Sequence, residues 1–404
     1  MDKIVIAFSG GLDTSFLVPF MREKYGVKDI TTVTVDTGGF SGEECARIAA
    51  RSKELGADRH VLIDGSEQLY ADVLKYLIFG NVSRDGYPLC VSAERLVQAR
   101  EVVKVADQLG VTHIVHGSTG AGNDQYRFDT VILVEGQHPR ACENRRIEPV
   151  APIREHGISR DASRAFLTER GFAVSASTTY SYNVGLWGVS VGGKETLTSH
   201  GLLPDTAWYS KVAADATRTQ ITLEFVRGEP VSLKQGAHTV TGPVAVIKAL
   251  ADLGNRLGIG RHYHVGTSVP GKKGRVAYES PAADILYEAH RTLEKITLSQ
   301  GQIFTKKTLA EEFGRLVHEA RFLDPLMNDI KAFLSSSQTR VTGTVEVELD
   351  VERIRSAAAR SPYDLLGVAG SQYGEVASAY SGRDAAGAAR LHAYEQQIYH
   401  AYKD

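Results

Sequence analysis

Residues 4–8, Ile-Val-Ile-Ala-Phe, run without a break into Ser9-Gly10-Gly11, and helical spacing with Leu17, Phe20 and Met21 on one face follows from Thr14 to about Tyr25. An apolar run that enters a tight glycine turn and then a helix reads as a buried strand feeding a crossover. The unit repeats. Residues 30–35 are a second β-rich run, closed by Asp36-Thr37-Gly38-Gly39, and residues 45–55 have helical spacing. A third strand is expected at 60–63, helices at 66–79 and 93–109, and a fourth strand at 113–116 that again ends in glycine-rich sequence. Strands alternating with helices predict an α/β fold with a parallel sheet. Ligands of such sheets bind outside the carboxyl ends of the strands, so the loops after Phe8 and His116 should converge on one site.

The alternation stops near residue 150. Pro149, Pro152 and Gly157 read as a connection, the one candidate linker, followed by a helix over 160–170 and then by irregular sequence rich in Ser, Thr, Tyr and Gly. Farther on, 221–226 and 231–233 suggest a hairpin, 245–257 a helix stopped at Gly258, and 341–349 a half-buried strand by its alternation. This half is expected to be α+β. Residues 382–402 read as an Ala-rich helix whose aromatic face, Tyr394, Ile398 and Tyr402, suits packing on a partner subunit.

The totals exclude several classes. With 404 residues the chain is long enough for two or three domains, and its 43% hydrophobic and 23% charged content is that of a globular protein. A net charge of −2 gives no field to hold nucleic acid or an anionic membrane. Cys45, Cys90 and Cys142 lie far apart and form no CxxC pair, which argues against structural zinc and a disulfide framework. The first residues carry too few apolar positions for a signal peptide, and no later stretch is long enough to span a bilayer. A soluble cytoplasmic protein is expected.

The chemistry sits in two loops. In Ser9-Gly10-Gly11-Leu12-Asp13-Thr14-Ser15 the glycines let backbone approach a ligand, the helix start offers free amides to an anion, and Ser9, Thr14 and Ser15 add hydroxyls. No lysine is present and GxxxxGK[ST] is absent, so this is not a P-loop. Read alone, the motif could still be an ordinary capped turn. The second loop, His116 to Phe128, offers Gly117, Gly120 and Gly122 with Thr119, Asn123, Asp124 and Arg127, side chains able to clamp an amine and carboxylates.

The first loop resembles the SGGxD[ST] loop of the N-type ATP pyrophosphatases. The second resembles the HGxTGKGNDQxRF motif of the argininosuccinate synthase family. Matching segments follow in order: Ala151-Pro152-Ile153-Arg154-Glu155, Tyr180-Ser181 with Leu186-Trp187-Gly188, Gly258-Ile259-Gly260-Arg261, Lys273, Arg275 with Tyr278-Glu279-Ser280-Pro281, and Arg383-Asp384-Ala385-Ala386-Gly387. The resemblance spans nearly the whole chain. It implies a HUP-like nucleotide-binding domain over 1–165, a synthetase domain over 166–360, and a tail over 361–404 with an oligomerisation helix. It implies an enzyme that adenylates a ureido acceptor such as citrulline, releases pyrophosphate with Mg2+ on the phosphates, and condenses the intermediate with L-aspartate. ATP would lie on Ala7, Ser9, Gly10, Gly11, Asp13, Thr14, Ser15 and Gly117. Aspartate would be held by Thr119, Asn123 and Asp124. The acceptor would meet Tyr87, Ser92, Asn123, Arg127, Ser181, Ser190 and Tyr278. Asp13, Asp124 and Arg127 are the expected catalytic positions, no residue is assigned as a metal ligand, and a homotetramer is implied.

The sequence also departs from that pattern. The motif's lysine is Ala121, the acid of YSxDxN is Asn183, ARP has become Glu94-Arg95-Leu96, and the VEN glutamate, which in the family contacts the α-amino end of citrulline, is Gly266. A member recognising citrulline by other groups and a paralogue taking a ureido or amide acceptor without a free α-amine are the two readings. A tRNA-modifying pyrophosphatase and a non-catalytic binding protein are the alternatives from other classes. Arg261-His262-Tyr263-His264 reads as a strand edge rather than a metal pair.

Overall fold

The computed structural model describes residues 1–137, 146–174, 179–368 and 379–402; Cys142 lies outside them. In chain order the strands are β1 (Lys3–Ala7), β2 (Asp29–Asp36), β3 (Arg59–Asp64), β4 (His113–Val115), β5 (Glu148–Val150), β6 (Tyr180–Gly185), β7 (Gly188–Gly193), β8 (Thr219–Val226), β9 (Glu229–Gln235), β10 (His238–Thr241), β11 (Arg261–Thr267), β12 (Lys273–Glu279), β13 (Gly343–Asp350) and β14 (Arg353–Arg360). The first five form a parallel sheet in the order β3-β2-β1-β4-β5. Its order reverses between β1 and β4, so the loops after those two strands diverge and leave a crevice between them.

Both faces of the central strands β1 and β2 are covered, which is why these two are nearly continuous runs of apolar or β-branched residues. In β1, Ile4 and Ile6 pack against Phe16, Leu17 and Met21 of the helix Leu12–Tyr25, while Val5 faces Val102 and Ala106 of the helix Cys90–Gln108. Two buried threonines of β2 are hydrogen-bonded: Thr34 Oγ1 donates to the Phe8 carbonyl at 2.7 Å, and Thr32 shares a 2.6 Å bond with Ser52.

The second half carries two antiparallel sheets, β10-β9-β8-β13-β14 and β11-β12-β7-β6, as the α+β expectation requires. Three readings need correction. The segment around Pro149 is not a linker but β5, an edge strand, where a missing N–H is tolerated. The sequence read as irregular contains the hairpin β6–β7; in β6 Tyr180, Tyr182 and Val184 alternate with Ser181 and Asn183, but the run is short, half exposed and closes in the turn Gly185-Leu186-Trp187-Gly188. The helix expected over 66–79 is interrupted by a π-helical turn, Tyr70–Leu74.

Trp187 is fully buried and donates its indole N–H to the Pro88 carbonyl at 3.0 Å. Beneath the large antiparallel sheet a polar cluster is buried and fully tied. Lys306 Nζ donates to Glu294 at 2.7 Å and to the Phe79 carbonyl at 2.9 Å, and Gln338 and Asn81 also donate to Glu294, at 3.0 and 2.8 Å. The C-terminal helix Gly382–Tyr399 starts at a Ser381–Asp384 capping box and buries none of its residues. No helix among the described residues is long and apolar enough to cross a membrane.

Candidate functional site

The loop after β1 turns at Gly10, whose φ of +71° is left-handed; a Cβ there would stand 3.1 Å from Ile48 Cγ1. Gly11 then caps the helix Leu12–Tyr25 without a side-chain bond, leaving the first amides free for an anion. Ser9 and Thr14 hydroxyls lie 3.2 Å apart at the mouth. Gly117 closes the other side: a Cβ on it would meet Thr14 Cγ2 at 3.3 Å and Asp13 Cβ at 3.4 Å. The two loops therefore meet, as their places on the sheet required.

They border a cleft of about 900 Å³. Ala7, Ser9, Gly11, Asp13, Thr14, Gly117, Thr119, Asn123, Asp124, Arg127 and Ser181 all line it. Gly10 and Ser15 do not; they border a separate cavity of about 480 Å³ behind the loop, near Arg47 and Leu167. Val33, Val35 and Phe40 give the cleft an apolar side. Burial pushes the Asp13 carboxyl up, and Arg160 pulls it back.

Asp124, the first residue of the helix Asp124–Glu135, binds two guanidiniums: Arg127 Nη1 at 2.8 Å and Arg95 Nε at 3.0 Å. Burial would raise its carboxyl, but Arg95 and Arg127 outweigh that and hold it below the ordinary value. Arg127 also donates Nη2 to the His318 carbonyl at 3.1 Å, while its buried Nε has no partner. Arg95 reaches Asn183 Oδ1 at 3.2 Å and Glu94 at 3.6 Å. Burial pushes Glu94 up to about 8, against the pull of Arg95 and a hydrogen bond from Thr37. Glu94 fills the space beside Gly185, where a Cβ would sit 1.4 Å from its Oε1.

A smaller pocket of about 240 Å³ opens beside the cleft and shares Asn123, Arg127 and Val276 with it. Tyr87 and Ser92 line it with His264, Gly266, Gly274 and His318. Tyr87 stacks on His264 with centroids 5.2 Å apart. Tyr278 stands behind, edge-on to Tyr87 and bonded to the Gly86 carbonyl, and its register partner Ser190 accepts from Asn183. Of the residues expected around the acceptor, Tyr87, Ser92, Asn123 and Arg127 are thus gathered at this pocket and Ser181 at the cleft. Ser190 and Tyr278 line neither.

Sequence reading missed Glu94, Arg95, His264 and His318 as site residues. Glu94 and Arg95 had been noted only as departures. His318 ends the helix Gln300–His318 far along the chain, with no local motif to mark it. His262, on the same strand β11 as His264, bonds Asp284 at 2.7 Å, and no group of three or more metal-ligating side chains occurs among the described residues.

Comparison with known proteins agrees with this geometry. Residues 3–173 match the family described as Arginosuccinate synthase N-terminal HUP domain, and residues 180–399 match Arginosuccinate synthase C-terminal domain. Similar curated proteins include the argininosuccinate synthases of Xanthomonas campestris pv. campestris, 38% identical over 93% of this chain and 92% of that one, and of Methanocaldococcus jannaschii, 33% identical over 90% of each. That of Methanopyrus kandleri is 32% identical over 98% of both chains. With both halves matched in order, the chain belongs to the argininosuccinate synthase family and is an ATP-binding ligase that forms a C–N bond.

Proposed function

We propose that the protein adenylates a ureido or amide acceptor with ATP and joins it to L-aspartate, giving AMP, pyrophosphate and an argininosuccinate-type product. The observation that carries this reading is the single cleft on which the Ser9–Ser15 loop and the Thr119–Arg127 segment meet. In the first step the acceptor's carbonyl oxygen attacks the α-phosphorus and the bond to pyrophosphate breaks. The free amides after Gly11, with Ser9 and Thr14, hold the departing pyrophosphate. In the second step the aspartate amine attacks the activated carbon, AMP leaves, and the amine proton is released. Thr119, Asn123 and Asp124 hold the aspartate, and the rate comes from placing two substrates together.

Asp13 on the cleft wall offers a carboxylate oxygen beside the phosphate loop, which suits Mg2+ that arrives on the phosphates with most of its ligands already in place. When bound there, the metal neutralises phosphate charge. The helix Gly382–Tyr399, which buries none of its residues and holds Leu391, Tyr394 and Tyr399 outermost, supports packing on further copies in a homotetramer. The setting we propose is the cytoplasm, without nucleic acid or membrane.

The test is pyrophosphate release from ATP with aspartate and a panel of ureides that includes citrulline. The reading requires release that depends on both aspartate and a ureide, with AMP and a condensed product by mass. Turnover stimulated by tRNA instead, or ATP binding without any release, would sink it.

A further inference from the structure

We infer that the acceptor's tail, seated in the small pocket beside Arg127, carries a carboxylate and no ammonium group. The inference rests on the ligase reading above and names the substrate class of that same site.

Arg127 is 5% exposed and lines the pocket with its Nη1 and Nη2 tied to Asp124 and the His318 carbonyl. Arg275 also borders it, but its Nη1 donates to the carbonyls of Glu195, Thr198 and His200 and its guanidinium lies over the Tyr263 ring. Arg127 shares its one carboxylate, Asp124, with Arg95. Glu94, the next carboxyl, is held largely protonated at neutral pH by burial. Two guanidiniums against one carboxylate leave the cluster with excess positive charge, and the buried Nε of Arg127 has no partner of its own.

No anionic side chain in the pocket answers an ammonium. None of its lining residues is Asp or Glu. The Tyr87 hydroxyl accepts from the Val91 amide, and Ser92 donates to the Leu89 carbonyl. His318 donates Nε2–H to the Thr267 carbonyl, so its unpartnered Nδ1 is a neutral acceptor, and His264 Nε2 is likewise unpartnered. Burial holds both imidazoles neutral. The floor is the cross-strand pair Gly266 and Gly274, which has no side chain to contribute. A Cβ on Gly266 would run into His264 Nε2 at 2.4 Å, whereas one on Gly274 would meet nothing within 4 Å. A carboxylate gains charge-assisted interactions here, whereas an ammonium would be desolvated beside a cation with only the neutral imidazole nitrogens of His264 and His318 to accept from it and no carboxylate partner.

The experiment compares δ-ureidovalerate, which is citrulline without its α-amine, with citrulline and with pentylurea, which has neither charged group. With saturating ATP and aspartate, δ-ureidovalerate should exceed citrulline in kcat/KM by roughly thirtyfold or more, the factor expected for a desolvated charge without its partner. Pentylurea should fall below δ-ureidovalerate by a similar factor. Citrulline matching δ-ureidovalerate, or pentylurea matching it, would overturn the inference. Calorimetric titration of the same three compounds, with a non-hydrolysable ATP analogue present, reads the order without turnover. That order with no pyrophosphate from any compound would uphold the pocket assignment and sink the ligase reading; no difference in binding would sink the assignment. The double variant His264→Ala/Gly266→Glu should move the ratio toward citrulline by roughly tenfold, and an unchanged ratio in the folded variant would count against the assignment.

Discussion

Replacing Glu94 with glutamine should flatten the pH dependence of this protein's stability. The side chain is 3% exposed and sits on the cleft wall, filling the space left by Gly185. Burial raises its carboxyl from the ordinary 4.5 to about 8; Asp124 and Asp36 push the same way, while Arg95 and the Thr37 hydrogen bond oppose. A raised folded value means the native state keeps a proton that the unfolded chain has lost. The contribution is therefore fully present below pH 4.5 and is lost as the pH climbs toward 8. The whole interval corresponds to about 5 kcal/mol, and the part between pH 6 and pH 8 to about 3 kcal/mol. Glutamine is nearly isosteric and does not titrate. Urea unfolding of the wild type and Glu94→Gln at pH 6 and pH 9 isolates the effect, because every other titrating group is common to both. The wild type should lose about 3 kcal/mol more than the variant across that span. Parallel profiles would show that Glu94 is ionised in the folded protein at neutral pH, with Arg95 as its full partner, and would refute the charge assignment of the cleft.

Three further outcomes follow from the geometry. Lys306→Met should cost about 3–5 kcal/mol in urea unfolding, because Glu294 stays buried without its cation; adding Glu294→Gln should recover most of that. Gly10→Val should weaken ATP binding by at least about tenfold in a calorimetric titration, since the left-handed turn costs a side-chain-bearing residue about 1–2 kcal/mol and the new Cβ meets Ile48. Asp124→Asn should raise the KM for aspartate roughly thirtyfold while leaving ATP affinity alone, because it leaves Arg95 and Arg127 without their shared carboxylate.

The parallel half was largely legible in the sequence because its signals are local. Apolar runs such as residues 4–8 end in glycine turns, and the helix spacing after each is continuous. The phosphate loop could be read for the same reason: its hydroxyls, glycines and helix start lie within a few residues of one another. The small pocket could not be assembled that way. Its wall joins Tyr87, Arg127, Gly266 and His318, brought together by tertiary packing rather than by any spacing. Strands β6 and β7 are hard to read because their alternating runs, Tyr180-Ser181-Tyr182-Asn183-Val184 and Val189-Ser190-Val191, are short and bounded by glycines on both sides of one turn. Pro149 misled in the opposite direction, since a proline at a sheet edge looks like a linker until its neighbours are known.

The phosphate loop and the aspartate segment hang from the parallel sheet, whereas the floor of the small pocket is a pair of glycines facing each other across β11 and β12. On the proposed reading the pocket is thus shared between two scaffolds, with Arg127, Tyr87 and Ser92 from the half that carries the phosphate loop and the glycine floor from the second sheet. Changes accumulating on the second sheet can redirect the enzyme to a new molecule without disturbing the nucleotide chemistry. Evolution can exchange the cargo on an inherited engine, and an engineer wishing to do the same should begin at positions 266 and 274.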